Sequence, residues 1–204
     1  GRQRSPNDNR RGNDLKIKMP LSLEEINTGV SKKVKIKRQE VCPACSGSGA
    51  KPGTSVVTCP VCRGSGEVRE VARSFFGQVV NVRPCSNCNG EGVIAEHRCQ
   101  QCGGDGRIQD TKELTVKVPP GVTTGNYLTM HDEGNAGIRK GSRGDLIVIF
   151  EERQHEYFVR DEDDIYIDLH VAPAEAVLGA EIEVPTLNGR VNLSIPSGTQ
   201  PGKM

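Results

Sequence analysis

Residues 42–49 read CPACSGSG, and the pattern Cys-x-x-Cys-x-Gly-x-Gly returns as CPVCRGSG at 59–66, CSNCNGEG at 85–92 and CQQCGGDG at 99–106. All eight cysteines fall in these four pairs. Two residues between cysteines let both thiolates reach one ion from a tight turn, and tetrahedral zinc takes four such ligands. The glycines that follow can adopt positive φ without steric cost, which turns backbone N–H groups toward the sulfurs. Four thiolates on one zinc leave a charge of about −2, which Arg63, Arg69, Arg98 and Arg107 stand near enough in sequence to offset. Eight cysteines make two closed sites, so the expected cofactors are two Zn2+ per chain. They are structural, with no ligand position open for catalysis. An iron–sulfur cluster is the lesser alternative. A disulfide framework would not require every cysteine to sit in a Cys-x-x-Cys pair, and no export signal is visible.

The segment between the second and third motifs, GEVREVARSFFGQVVNVRP, is rich in β-formers (Val68, Val71, Val79, Val80 and Val82), with Gly77 placed for a turn. A hairpin there brings the second and third motifs together and leaves the first to meet the fourth. One zinc would then take Cys42, Cys45, Cys99 and Cys102, the other Cys59, Cys62, Cys85 and Cys88. Sequential pairing is the alternative that spacing alone leaves open. His97, close to Cys99, reads as a surface residue. Phe75 and Phe76 either contact a partner or pack the hairpin.

The composition fits metal-held and small β modules. Hydrophobic residues make up 34% of the 204, aromatics 3%, and there is no Trp; 24 Gly and 12 Pro point to many turns. A net charge of +1 gives no global field for nucleic acid. No apolar run reaches the ~18 residues of a membrane helix. The chain is expected to be soluble and cytoplasmic, with no membrane partner.

The rest of the chain repeats itself. DLKIKMPLSLEEINTG begins at Asp14 and DIYIDLHVAPAEAVLG at Asp164, 150 residues later. Leu15, Ile17, Met19 and Leu21 match Ile165, Ile167, Leu169 and Val171 as a period-2 strand, and a short helix follows each. Ser22 and Glu25 fit a capping box, and Gly29 and Gly179 fit helix ends. After the next strand, copy two turns through Asn188-Gly189 into RVNLSIPSGTQPG. Copy one reaches the matching ELTVKVPPGVTTG only after the cysteines, so the cysteine module is an insertion at a hairpin tip. Residues 1–13 read as a disordered linker end. Residues 14–41 with 107–161 form a first β domain, 42–106 the module, and 162–204 a second β domain. Met204 corresponds to Tyr127, so the second copy is read as truncated. GNAGIRKGSRGD at 134–145 lacks the ending of a phosphate loop and reads as a flexible loop.

Four such motifs inserted into the first of two related β domains resemble the class A DnaJ co-chaperones. The resemblance covers essentially the whole chain, including LSLEEINTGV, VPPGVTTG and EIEVPTLNGRV. It implies a mainly β fold: two β-sandwich-like C-terminal domains with a two-zinc module inserted in a hairpin of the first. It also implies zinc pairing of first with fourth and second with third motif. The implied function is binding of extended apolar segments of non-native polypeptides, for delivery to a DnaK-type chaperone ATPase, without enzymatic activity. Carried over by position, the client pocket would use Leu15, Val34, Ile36, Leu114 and Phe158, with Ile17 and Val116 contributing. Without the resemblance, these residues are ordinary core of a small sandwich. None of His97, His131, His155 or His170 precedes a proline, so the J-domain His-Pro-Asp tripeptide is missing from this sequence. The family's dimerisation segment is not matched either; the full-length protein is expected to be a homodimer and this piece a monomer.

Two rival functions follow from the same cysteines. A thiol–disulfide oxidoreductase would expose one low-pKa thiolate at a helix N-terminus, whereas these four motifs are equivalent and glycine-flanked. A nucleic-acid-binding zinc module would need a basic patch with interleaved aromatics, whereas Glu67, Glu70, Glu91, Glu96 and Asp105 are mixed among the arginines.

Overall fold

Strand β1, Leu15–Leu21, alternates exposed Lys16, Lys18 and Pro20 with inward residues that end in fully buried Met19 and Leu21. Ser22 stops it by capping helix α1, Leu23–Thr28. Its hydroxyl accepts from the Glu25 N–H at 3.4 Å, and the Glu25 carboxylate accepts from the Ser22 N–H at 3.0 Å. The helix buries Leu23 and Ile26 and ends at Gly29, whose φ of +73° suits glycine. The computed structural model describes residues 10–74 and 77–203; Phe75 and Phe76 lie outside the described residues.

The remaining strands are β2 Val30–Val41, β3 Val56–Thr58, β4 Glu67–Ser74, β5 Gly77–Pro84, β6 Val93–Ala95, β7 Arg107–Val118, β8 Tyr127–Met130, β9 Leu146–Glu152, β10 Phe158–Asp161, β11 Asp164–Ile167, β12 Ala180–Thr186 and β13 Gly189–Ile195, with helix α2, Pro173–Leu178, before β12. The fold is mainly β. One three-stranded sheet has the order β1-β9-β8, and the other strands pair as β2-β7, β3-β6, β4-β5, β10-β11 and β12-β13. Among the described residues no helix is long and apolar enough to cross a membrane.

The chain divides into two compact units. The first comprises the described residues up to Ile17, with Lys35–Glu113 and Thr129–Ile147. In it, β2 runs directly into Cys42 and β7 starts directly after Gly106, so the cysteine region fills the gap between two paired strands. Two antiparallel ladders punctuate that region. One pairs Val56 with Ala95 through Thr58 with Val93; the other pairs Glu67 with Pro84 through Ser74 with Gly77. The hairpin expected between the second and third motifs is therefore present, closed by Ser74 and Gly77.

The second unit comprises Lys18–Val34, Leu114–Leu128 and the chain from Val148 on. It holds α1 and the second repeat. Two details of that repeat differ from the sequence reading. The strand expected from Ile165 to Val171 ends at Ile167, which pairs with Phe158, the first residue of the four-residue β10. The β12-β13 hairpin closes at Thr186 and Gly189, so its loop residues are Leu187 and Asn188 rather than Asn188 and Gly189. Gly189, at φ +134°, opens the return strand, and the Thr186 hydroxyl donates to its carbonyl at 3.1 Å.

Candidate metal centres and the strand beside them

Each cysteine motif folds as a knuckle whose residue after the second cysteine takes a left-handed conformation: Ser46, Arg63, Asn89 and Gly103. The motif's second glycine, at φ between +73° and +75°, then aims its N–H back at that cysteine's sulfur. The four distances are 3.3 Å for Gly49 to Cys45, 3.3 Å for Gly66 to Cys62, 3.2 Å for Gly92 to Cys88 and 3.2 Å for Gly106 to Cys102.

The same glycines select the partner knuckle. The Cys42 N–H donates to the Gly106 carbonyl at 3.0 Å, and the Cys99 N–H to that of Gly49 at 2.9 Å. The Cys59 N–H reaches Gly92 and the Cys85 N–H reaches Gly66, both at 2.8 Å. The approach is so close that a Cβ on Gly49, Gly66, Gly92 or Gly106 would stand 2.3–2.4 Å from a carbonyl oxygen of the facing knuckle. First thus meets fourth, and second meets third.

Cys42, Cys45, Cys99 and Cys102 form an inner cluster and Cys59, Cys62, Cys85 and Cys88 an outer one, each with its sulfurs within 4.8 Å of one another. Inner pairs stand at 4.0 Å (Cys42 and Cys99) and 3.8 Å (Cys45 and Cys102). Outer pairs stand at 3.9 Å (Cys59 and Cys85) and 3.6 Å (Cys62 and Cys88). Tetrahedral zinc with bonds of about 2.3 Å requires sulfurs roughly 3.8 Å apart, so both clusters fit one Zn2+ each. Seven of the eight cysteines are buried, and all eight are free of disulfides.

Hydrogen bonds and burial divide the thiols. Backbone N–H groups, that of Cys62 foremost, with Asn87 Nδ2 at 3.4 Å, bring Cys59 down to about 6. The Cys102 N–H does most to bring Cys99 down to about 7. Burial pushes Cys88 and Cys102 up to about 11. Asn87 was not anticipated from the sequence. The donors aimed at the sulfurs are backbone amides and this amide side chain, while Arg107 instead donates to the Ala136 carbonyl at 3.2 Å. His97 is exposed and belongs to neither cluster.

The glycine-rich 134–145 stretch is a heavily bonded loop rather than the loose one its composition suggested. The Ala136 N–H donates to the Gln39 carbonyl at 2.8 Å, and the Gln39 N–H to Asn135 Oδ1 at 2.9 Å. Beside them Arg38 and Glu40 are buried as an ion pair at 2.7 Å. Arg38 also bonds the Glu133 carboxylate at 2.6 Å, and Glu40 is held by Arg143. Burial acts to raise Glu40, but the bonds from Arg143 and Arg38 outweigh it and hold the carboxyl below its ordinary range.

The model of the DnaJ C terminal domain matches residues 15–204. The chain belongs to this family. Proteins named chaperone protein DnaJ are similar to it: one from Chlorobium luteolum at 51% identity over 193 residues (95% of this chain, 50% of the relative) and one from Salinibacter ruber at 48% over 198 (96% and 51%). Another, from Halalkalibacterium halodurans, is 45% identical over 202 residues (99% and 55%). The chain thus spans about half the length of the curated relatives it matches.

The residues that the resemblance to class A DnaJ co-chaperones assigns to a client pocket lie on β1, β2, β7 and β10. Leu15, Ile17, Val34 and Leu114 are half-buried, whereas Ile36, Val116 and Phe158 are buried. On β2 the flanking Lys33, Lys35 and Lys37 are exposed.

Proposed function

We propose that this chain is the part of a DnaJ-type chaperone that holds extended apolar segments of non-native polypeptides for delivery to a DnaK-type ATPase. The observation that carries the reading is β2. Its apolar residues progress from half-buried Val34 to buried Ile36 between exposed lysines, and among the described residues it pairs only with β7. An extended segment adds to such a strand by main-chain hydrogen bonds, with a pocket taking one large apolar side chain. Leu15, Ile17, Val34, Ile36, Leu114, Val116 and Phe158 would supply that pocket. Residues 14–41 with 107–161 would form the client-binding domain, 42–106 its zinc module, and 162–204 part of a second β domain.

Burying one leucine-sized side chain contributes roughly 1.5–3 kcal/mol. Main-chain pairing adds to this and ordering of the client subtracts, which leaves a Kd on the order of micromolar and a client that can be released. Eight thiolates committed to metal suit a reducing compartment, so the proposed setting is the cytoplasm.

The test is a fluorescence-anisotropy titration with a cysteine-free, leucine-containing extended peptide. Ile36 is only 5% exposed, so an aspartate there would endanger the fold; Val34→Asp is the cleaner probe. Saturable binding by the parent chain, weakened at least about tenfold in Val34→Asp with an unchanged circular-dichroism spectrum, supports the reading. Equal binding by both proteins removes β2 from the client site. A cysteine-free peptide leaves thiol exchange no route to the signal.

A further inference from the structure

Between the two knuckle pairs lies a cleft of about 160 Å³ lined by Ser48, Val56, Glu91, Val93, Arg139 and others. Arg139 spans it, while Arg10, also in its lining, donates from Nη2 to the Glu91 carbonyl at 3.5 Å. Arg139 donates from Nε to the Gly104 carbonyl at 3.0 Å, in the fourth cysteine motif, and from Nη1 to the Glu91 carboxylate at 2.5 Å, in the third. Its own backbone N–H donates to the Asp105 carbonyl at 3.1 Å. The Glu91 side chain is 9% exposed and that of Arg139 27%, so this ion pair is partly shielded from water and outweighs a fully exposed surface pair. The backbone is committed to the arrangement: Arg139 and Lys140 both take left-handed conformations, at φ +46° and +64°, which non-glycine residues hold only at a cost.

We infer that Arg139 is a positioning residue that locks the two knuckle pairs together as one body. Gly104 is the residue whose carbonyl meets Gly49, and Glu91 precedes the Gly92 amide that donates to Cys88. A single guanidinium therefore braces the inner cluster on one side and the outer cluster on the other. Only a planar, forked donor reaches both at once. The metal ligands are all elsewhere, so the inference concerns the link between the sites and not their occupancy.

The experiment is amide hydrogen exchange by NMR on the two-zinc protein, comparing the parent chain with Arg139→Ala, Arg139→Lys and Glu91→Gln. Arg139→Ala is expected to keep two zinc ions by mass while the Gly92 and Gly106 amides exchange about tenfold faster or more. Arg139→Lys should restore protection at Gly92, because an ammonium can still pair with Glu91, but not at Gly106. Glu91→Gln should speed Gly92 alone. Unchanged exchange at both glycines in Arg139→Ala overturns the inference, as does an equal rise throughout β1 and β9. Should Arg139→Ala fail to fold, Glu91→Gln decides: parent-like exchange at Gly92 overturns the inference, and a faster Gly92 beside an unchanged Gly106 supports it.

Discussion

Among the described residues of 42–106, the buried apolar side chains are seven of the eight cysteines and Ala50; in β1, β2, β7 and β9 they are Met19, Leu21, Ile36, Val116, Val118, Leu146, Val148 and Phe150. The module's core is thus made of its ligands, and it coheres when zinc brings four thiolates together. Structural zinc in small modules contributes on the order of 10–16 kcal/mol of folding free energy. The flanking strands are held by aliphatic burial, which needs no metal. The sequence shows this division of labour in its two vocabularies: glycine and cysteine inside the insertion, alternating aliphatics and lysines outside it.

The largest effect that would sharpen this contrast comes from a knuckle glycine. Gly92→Ala would put a Cβ 2.4 Å from the Gly64 carbonyl at a residue with φ +75°. A destabilisation of about 3 kcal/mol is expected, which should weaken zinc at the outer cluster by roughly a hundredfold in a chelator competition while the inner cluster keeps its parent affinity. Equal weakening of both ions would mean that the clusters do not hold metal separately.

A smaller effect compares the two repeats. Helix α1 has the full capping box, whereas at α2 only the Glu175 carboxylate reaches back, accepting from the Ala172 N–H at 3.0 Å, because alanine offers no acceptor. Ser22→Ala should lower stability by about 1 kcal/mol in chemical denaturation. Ala172→Ser should raise it by less, since α2 leaves Val177 and Leu178 exposed where α1 buries Leu23 and Ile26. Equal and opposite changes would show that the two helices are coupled alike to their surroundings.

Much of this was legible because period and spacing are local signals. The capping box at Ser22 and Glu25 and the strand–helix–strand order of both repeats follow from residues within reach of one another in sequence, and the hairpin expected between the second and third motifs favoured nested cysteine pairs while spacing alone left sequential pairing open. What was missed depends on distant partners. Arg38 and Glu40 in KRQE carry no local sign of burial; they are buried with Glu133 and Arg143, 95 and 103 residues away, just before and within a glycine-rich loop. That loop, 134–145, looked loose by composition. Its glycines instead allow close approach: a Cβ on Gly141 would stand 2.0 Å from the Arg10 carbonyl. The hairpin at Thr186–Gly189 was displaced by one residue because Asn-Gly is favoured inside a two-residue turn, while here the glycine closes it. Asn87 is an ordinary polar residue in sequence and acquires its role only when the second and third motifs meet.

The measurement that bears most directly on a metal-held insertion carried by independently held strands is hydrogen exchange on Cys45→Ser, read together with its zinc content. The account predicts one zinc per chain, lost protection around the inner knuckle, and parent-like protection in the β1-β9-β8 sheet. Loss of protection throughout the chain would contradict it, because the strands would then depend on the metal as much as the module does.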